Sequence, residues 1–539
     1  MFGKRTALAV TISVFFASAP MLASDMPKLV AKDGRHALLV DGAPYLILGA
    51  QINNSSSWPA LLPEVWPALE AMHANTIEAP IYWEQFEPQP GKFDYTTVDA
   101  LVTQAREHHL HLVLLWFATW KNGQDHYVPE WVKQDTRKYP RVIRENGQPI
   151  DVLSANSPAN LDADRAAFVA LMRHLRAVDG EQNTVLLVQV ENESGNIGSV
   201  RDFSPMAQKQ FVEEVPVELV RALKKQAGTW SQVFPGEADE TFQAYYQALY
   251  INEIAKAGKA EYPLPMYVNV WLSYPPAELP ERRMPVPGIQ YPSGGAVLRL
   301  IDLWKLTAPA IDMIGPDIYA DDSGFYNLQL AAYGRPDNPL WIPETGSGDS
   351  FARFFFTALG KGAIGFSPFG IDNTGWTFPL AEGSKPVDGP VLHTQNYALV
   401  APMARLVADL NFQGRLKTAV EEVGQSSQEI DFGSWQATVA FGFPQQDGRR
   451  PPGTKDLRGR VLVGKLGPEE FLVTGFDASV SFHLPGELPG QHSQILRAEQ
   501  GRYEDGEWKM IRILNGDQTD RGLIFRGKPA VVRIKLGTF

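Results

Sequence analysis

Thr184–Glu191 reads TVLLVQVE. Its first residues are continuously apolar and do not alternate with polar ones, the pattern of a strand covered on both faces. Asn192 and Glu193 follow at once, placing polar groups where such a strand ends. Seven other runs are read the same way, most of them continuously apolar over their first residues. They are Tyr45–Gln51 (YLILGAQ), Thr76–Trp83 (TIEAPIYW), Leu110–Phe117 (LHLVLLWF), Pro265–Leu272 (PMYVNVWL), Ile311–Tyr319 (IDMIGPDIY), Pro339–Glu344 (PLWIPE) and Gly362–Ser367 (GAIGFS). Helical periodicity is expected between them, at 62–73, 96–108, 162–178, 206–227, 241–258, 295–307, 349–360 and 393–410. The helix at 162–178 is read as opening on Asp162, Asp164 and Arg165, with Phe168, Leu171, Met172 and Leu175 as its apolar face. Eight buried strands alternating with helices is the count of an α/β fold of the (β/α)8 TIM-barrel type. The competitor is an open doubly wound sheet, but no G-x-x-x-x-G-K-[ST] phosphate loop occurs.

Beyond residue 412 the texture changes. Trp435–Phe443, Gly459–Lys465, Glu470–Thr474, Met510–Leu514 and Ala530–Leu536 are short runs divided by Gly, Pro and Asp turns. They predict a C-terminal antiparallel β-domain packed on the barrel. Pro444–Pro451 and Leu484–Gln491 read as surface loops. At the other end, Lys4 and Arg5 precede the apolar run Ala7–Ala17, and small residues follow at Ala23 and Ser24. That run is too short to span a bilayer and reads as an export signal cut after Ala23. The expected division is therefore 1–23 signal peptide, 24–410 catalytic barrel and 411–539 β-rich domain, in a bacterial periplasmic or secreted protein.

The 539 residues include 49 Lys and Arg against 61 Asp and Glu, a net charge of -12, so no basic footprint for nucleic acid is present. Hydrophobic residues make up 44%, a composition that excludes disorder and a polytopic membrane protein, so no stable membrane insertion is expected. The absence of cysteine removes disulfides, thiolate catalysis and Cys-based metal sites. His108, His109 and His111 cluster without an H-E-x-x-H spacing, and G-x-S-x-G is absent. No cofactor and no metal are therefore expected, and oligomeric state is left open. There are 13 Trp, more aromatic surface than a core requires, which suits an oligosaccharide partner.

In such a barrel the chemistry follows the C-terminal ends of the strands. Glycosidic hydrolysis needs two carboxyl groups flanking the anomeric carbon, about 5–5.5 Å apart in the retaining case. Glu193 and Glu344, from the fourth and seventh strands, can face each other across a barrel mouth. Glu344 would attack as the ionised group, and Glu193 would hold a proton through a raised pKa. Glu191 lies two residues before Glu193 and would point the same way in an extended strand, so spacing leaves both open. Tyr82, Glu84, Trp116, Trp120, Trp271, Tyr319 and Trp376 are the further strand-end residues expected to bind substrate, with Asn192.

Ile77–Phe93 (IEAPIYWEQFEPQPGKF) resembles the second-strand signature of glycoside hydrolase family 35, the β-galactosidases. Gln189–Gly195 (QVENESG) is similar to that family's acid/base strand, and Pro129–Trp131 (PEW) to its Pro-x-Trp after the third strand. The resemblance covers roughly residues 35–410. It implies a retaining β-galactosidase in which Glu193 is the acid/base, Asn192 binds the sugar 2-hydroxyl, Glu344 (in PETG) is the nucleophile and Tyr319 hydrogen-bonds that nucleophile. Two stretches depart from the pattern: Gln51–Ser57 (QINNSSS) stands where a His-Tyr-x-Arg motif is usual, and Phe117–Trp120 (FATW) where Cys-Ala-Glu-Trp is usual. Those departures look like divergent bacterial members associated with plant cell-wall polymers, including xyloglucan side chains. The expected activity is release of terminal β-galactose. The alternatives are another exo-β-glycosidase (glucose, glucuronate or arabinopyranose) or a non-catalytic carbohydrate-binding protein.

Overall fold

The computed structural model describes residues 25–274, 285–372, 374, 391–442, 457–486, 491–504, 506–526 and 529–539. The export signal, Trp376, Pro444–Pro451 and the middle of the 484–491 loop lie outside the described residues.

Eight parallel strands close into a barrel in chain order: β1 (Ile47–Gln51), β2 (Thr76–Tyr82), β3 (His111–Lys121), β4 (Val185–Asn192), β5 (Met266–Trp271), β6 (Met313–Ile318), β7 (Trp341–Thr345) and β8 (Gly365–Pro368). Every one is among the apolar runs read from the sequence. Alternate side chains divide two cores. On β3, Leu112, Leu114 and Trp116 join a helix-side cluster with Phe168 and Leu171. Val113, Leu115 and Phe117 instead fill the barrel with Leu187, Tyr267, Met313 and Trp341. Gly49 serves this interior, because a Cβ there would stand 2.8 Å from the Ser367 side chain and 3.2 Å from Glu78 Oε1. An unforeseen antiparallel sheet, Lys28–Lys32, Arg35–Val40 and Ala43–Tyr45, puts Leu38, Val40 and Tyr45 into the same interior cluster.

The helices differ from expectation where local chemistry overrides periodicity. Pro158–Asp179 starts before Asp162, because Pro158 fits the first helical position and the Ser157 hydroxyl accepts from the Asn160 amide. Asp164 is consequently inside the helix and fully buried, rather than in an exposed first turn. The stretch 206–227 divides into Pro205–Phe211 and Val217–Ala222, with Pro216 at the break. Helix Ser323–Tyr333, capped by Asp322, was not expected.

The C-terminal strands form one six-stranded and one four-stranded antiparallel sheet. The outer strand Leu416–Val420 packs on helix Phe354–Gly360, the helix that leads into β8. A Cβ on Gly360 would collide with the Thr418 hydroxyl, so the glycine permits this approach. Leu416, Val420, Leu462, Leu472, Phe476, Tyr503 and Val531 belong to one apolar cluster with the barrel's Phe356 and Leu359. Glu422 adds polar ties, pairing with Arg353 at 3.1 Å and accepting from Ser323. Among the described residues no helix is long and apolar enough to cross a membrane.

Candidate active site

The end of β4 does not run straight. Glu191 and Glu193 both have left-handed backbone, with φ of 64° and 45°, on either side of Asn192. For residues other than glycine this costs on the order of 1–3 kcal/mol each and is tolerated where surroundings enforce it. The pairing of β3 with β4 slips here too: Trp116 is opposite Val190 but Lys121 is opposite Asn192. Four β3 residues thus stand against one on β4, a bulge that re-aims side chains.

The consequence is that Glu191 and Glu193 point to different places. Glu193 reaches the barrel mouth, where one oxygen each of Glu193, Asp317 and Glu344 lie within 4.8 Å of one another. All three residues are nearly sealed from solvent, at 5%, 1% and 6% exposure. Glu191 instead turns outward to helix Pro158–Asp179. Its Oε2 accepts from the Trp120 amide at 2.7 Å, and Asp164 is its neighbour carboxyl group. Asp164 also accepts from Trp116 Nε1 (2.9 Å) and Thr119 Oγ1 (2.5 Å).

Each mouth carboxyl has fixed partners. Glu344 Oε2 accepts from Gln51 Nε2 at 2.9 Å, and Oε1 from the Tyr319 hydroxyl at 2.5 Å. With both oxygens accepting, Glu344 has the bonding pattern of an ionised carboxylate. Glu193 Oε2 accepts from Asn122 Nδ2 at 2.6 Å. Its backbone amide donates to Asn269 Oδ1 at 2.8 Å, while Asn269 Nδ2 donates to Asp317 Oδ2 at 2.6 Å. Lys121 Nζ donates to Asn192 Oδ1 at 2.8 Å, and Asn192 Nδ2 is buried with no acceptor among the described residues.

Electrostatics separate these groups. Burial, and then the Glu344 charge, push Glu193 up to about 7, against the opposing influence of Lys121 and Asp317. Burial, then the charges of Glu344 and Glu193, hold Asp317 well above its ordinary value. Glu191 is also raised well above its ordinary value by burial and then by Asp164. The three mouth carboxyls are spaced closely enough to share a cation, but four of their oxygens already accept from Asn122, Asn269, Gln51 and Tyr319. Amide and hydroxyl donors thus orient these carboxyl groups.

Several strand-end residues prove to be elsewhere. Trp116 and Trp120 are fully buried and face the helices, Trp120 against Tyr250 with ring centroids 4.8 Å apart, so neither is a sugar platform. Outward alternation and the bulge explain both. Tyr82 is also buried, stacked between Trp58 and Tyr127, and its hydroxyl accepts from the Ser57 amide. Glu84 turns to the surface, 3.9 Å from Lys133, away from the mouth carboxyls. Trp271 is half-buried at the end of β5, and Tyr319 is 43% exposed beside Glu344. Arg353 is committed to Glu422. The histidines lie at the opposite end, where His108 meets Glu70 and His111 the Asn183 carbonyl. Unforeseen at the site were Lys121 and Asn122, which follow the expected end of β3, and the partner roles of Gln51, Asn269 and Asp317. The polar trio Lys121–Asn122–Gly123 directly after an apolar strand was the signal available.

Comparison with known proteins fits this geometry. Residues 60–247 match the family model of glycoside hydrolase family 42, described as Beta-galactosidase, and residues 393–526 match a domain of unknown function, DUF5597. A β-galactosidase of Xanthomonas manihotis is 29% identical over 165 residues, which are 29% of this chain and 25% of that protein. Human beta-galactosidase-1-like protein 3 is 26% identical over 196 residues, 35% of this chain and 27% of that protein. The chain thus spans about a quarter of the length of the curated relatives it matches. Among solved structures, the β-galactosidase of the psychrophilic Marinomonas ef1 superposes with a TM-score of 0.50 at 12% identity, covering 68% of this chain and 61% of that one, a likeness of fold. The family 35 resemblance is corrected by the family match: the barrel segment that carries the motifs of β2 and β4 is similar to family 42.

Proposed function

We propose that the protein is a retaining exo-β-galactosidase. The observation that carries this reading is the sub-5 Å approach of Glu193 and Glu344, which belongs with covalent catalysis; inverting pairs stand roughly 6.5–9.5 Å apart. Glu344, held by Gln51 and Tyr319, attacks the anomeric carbon. Glu193, a protonated acid below about pH 7, gives its proton to the departing glycosidic oxygen. Ester formation then removes the Glu344 charge that helped to raise Glu193, so Glu193 becomes a better-matched base. It takes a proton from water, whose oxygen attacks the same carbon and releases the sugar with its configuration retained. Asn192 Nδ2, with no acceptor among the described residues, is available for the sugar 2-hydroxyl.

Galactose as the glycone is supported by the matched family model and by the names of the relatives. The finer proposal is a terminal galactose on plant cell-wall oligosaccharides, xyloglucan side chains among them, cleaved outside the cytoplasm after export. Proton NMR of 4-nitrophenyl β-galactoside hydrolysis tests the chemistry, and the first product is expected to be β-galactose. First appearance of the α-anomer would overturn the retaining reading. A parallel panel of β-glucoside, β-glucuronide, α-arabinopyranoside and galactosylated xyloglucan oligosaccharide tests the sugar; preference for another glycone would overturn galactose.

A further inference from the structure

The proposed reaction uses two carboxyl groups, yet a third lies within 4.8 Å of both. Asp317 closes β6, opposite Trp271 of β5 and Glu344 of β7 in register. Asn269 joins it to the acid/base residue: one end of the amide donates to Asp317 Oδ2 and the other accepts from the Glu193 backbone. Asp317 Oδ1 is buried, and no donor among the described residues other than a protonated Glu193 reaches it. Once Glu193 has given up its proton, an ionised oxygen there, without donors and beside two other carboxyls, is a costly state. A proton on that oxygen makes it a donor instead, and Glu193 is within hydrogen-bonding reach.

The local charge count agrees. Lys121 is the cation whose charge acts on Asp317, and the aromatic hydroxyls around it, Tyr319, Tyr274, Tyr267 and Tyr333, are all raised in pKa and stay neutral. Lys121 can balance one negative charge. Glu344 carries that charge in the resting site and Glu193 carries it once Glu344 is esterified. A neutral Asp317 keeps the balance in both states; an ionised one leaves an excess negative charge in both.

We propose that Asp317 is a positioning residue that keeps its proton through the cycle and donates a hydrogen bond to Glu193, stabilising Glu193 as a carboxylate after it has protonated the leaving group. This rests on the assignment of Glu193 as the acid/base. No bond to Asp317 forms or breaks, and its proton stays on Oδ1.

Asp317→Asn and Asp317→Leu test it. The Asn side chain offers its carbonyl to Asn269 and its NH2 to Glu193, so it is expected to keep the basic limb of kcat/KM near the parent position. Leu removes the donor. It is expected to move that limb up by about one unit and slow deglycosylation about 10–100-fold, with the Asn variant lowered roughly tenfold less. If Asp317 were ionised, Asn would remove a negative charge and move the limb down by about a unit, which would overturn the proposal, as would an unmoved limb in the Leu variant. Carboxyl infrared titration of Glu193 without substrate, in parent and Asn variant, gives a second reading should Leu not fold. It also separates the two claims: an unmoved Glu193 in the Asn variant with no galactosidase activity in the parent would sink the function, whereas a downward shift in an active enzyme would sink only the neutral Asp317.

Discussion

Two carboxyl pairs begin two residues apart on one strand. Glu193 meets Glu344 at the barrel mouth, and Glu191 meets Asp164 between the strand and helix Pro158–Asp179. Both are buried and both contain a group raised by burial and by its neighbour's charge. Displacement of a pKa therefore does not tell them apart. What differs is the surroundings. The mouth pair is held by side chains from four strand ends, Gln51, Asn122, Asn269 and Tyr319, and lies at the C-terminal rim beside the exposed Tyr319; the other is sealed by Trp116, Thr119, Trp120 and Tyr250. Glu191 and Asp164 anchor the bulge of β3, and that bulge in turn brings Lys121 and Asn122 to the mouth.

The largest expected contrast comes from Glu344→Gln, which should fold normally and lose about 10⁴-fold or more in kcat on aryl β-galactosides. Full turnover in that protein would end the comparison as drawn. Glu193→Ala should cost about 10²–10⁴-fold on oligosaccharides, whose leaving groups need a proton, and far less on activated aryl galactosides. Added azide should accelerate this variant and yield β-galactosyl azide, detected by mass spectrometry. In the parent, kcat/KM should fall as pH rises through about 7, because the raised Glu193 must hold its proton to act as the acid. The Ala variant should lose that limb.

The smallest effect belongs to Glu191→Gln. An amide can still accept from the Trp120 backbone and can donate to Asp164, so activity within about threefold of the parent and an unchanged or slightly higher Tm are expected. Azide rescue in a Glu191 variant, with none in Glu193→Ala, would exchange the roles of the two pairs.

The barrel was legible because strands covered on both sides cannot alternate, and most of the eight runs carry that mark. Side-chain direction was not. Trp116 occupies an outward position on β3, and Trp120 follows a slip in pairing that no local pattern announces. An extended strand would aim Glu191 and Glu193 alike; the left-handed φ values at both break that rule. Gln51, Asn269 and Asp317 stood at strand ends in plain view, but their work is to hold other side chains, and only packing reveals it. The motifs on β2 and β4 describe what a barrel of this chemistry needs at its rim, so they located the mouth better than they chose between families 35 and 42.

Finally, Val420, Leu462, Phe476 and Val531 complete the wall around Phe356 and Leu359. A chain shortened after Phe412 would leave the outer side of helix Phe354–Gly360 wet, next to the strand that carries Glu344. Grafts that exchange the loops at the mouth should therefore be cut at the rim and never at the start of the C-terminal sheets.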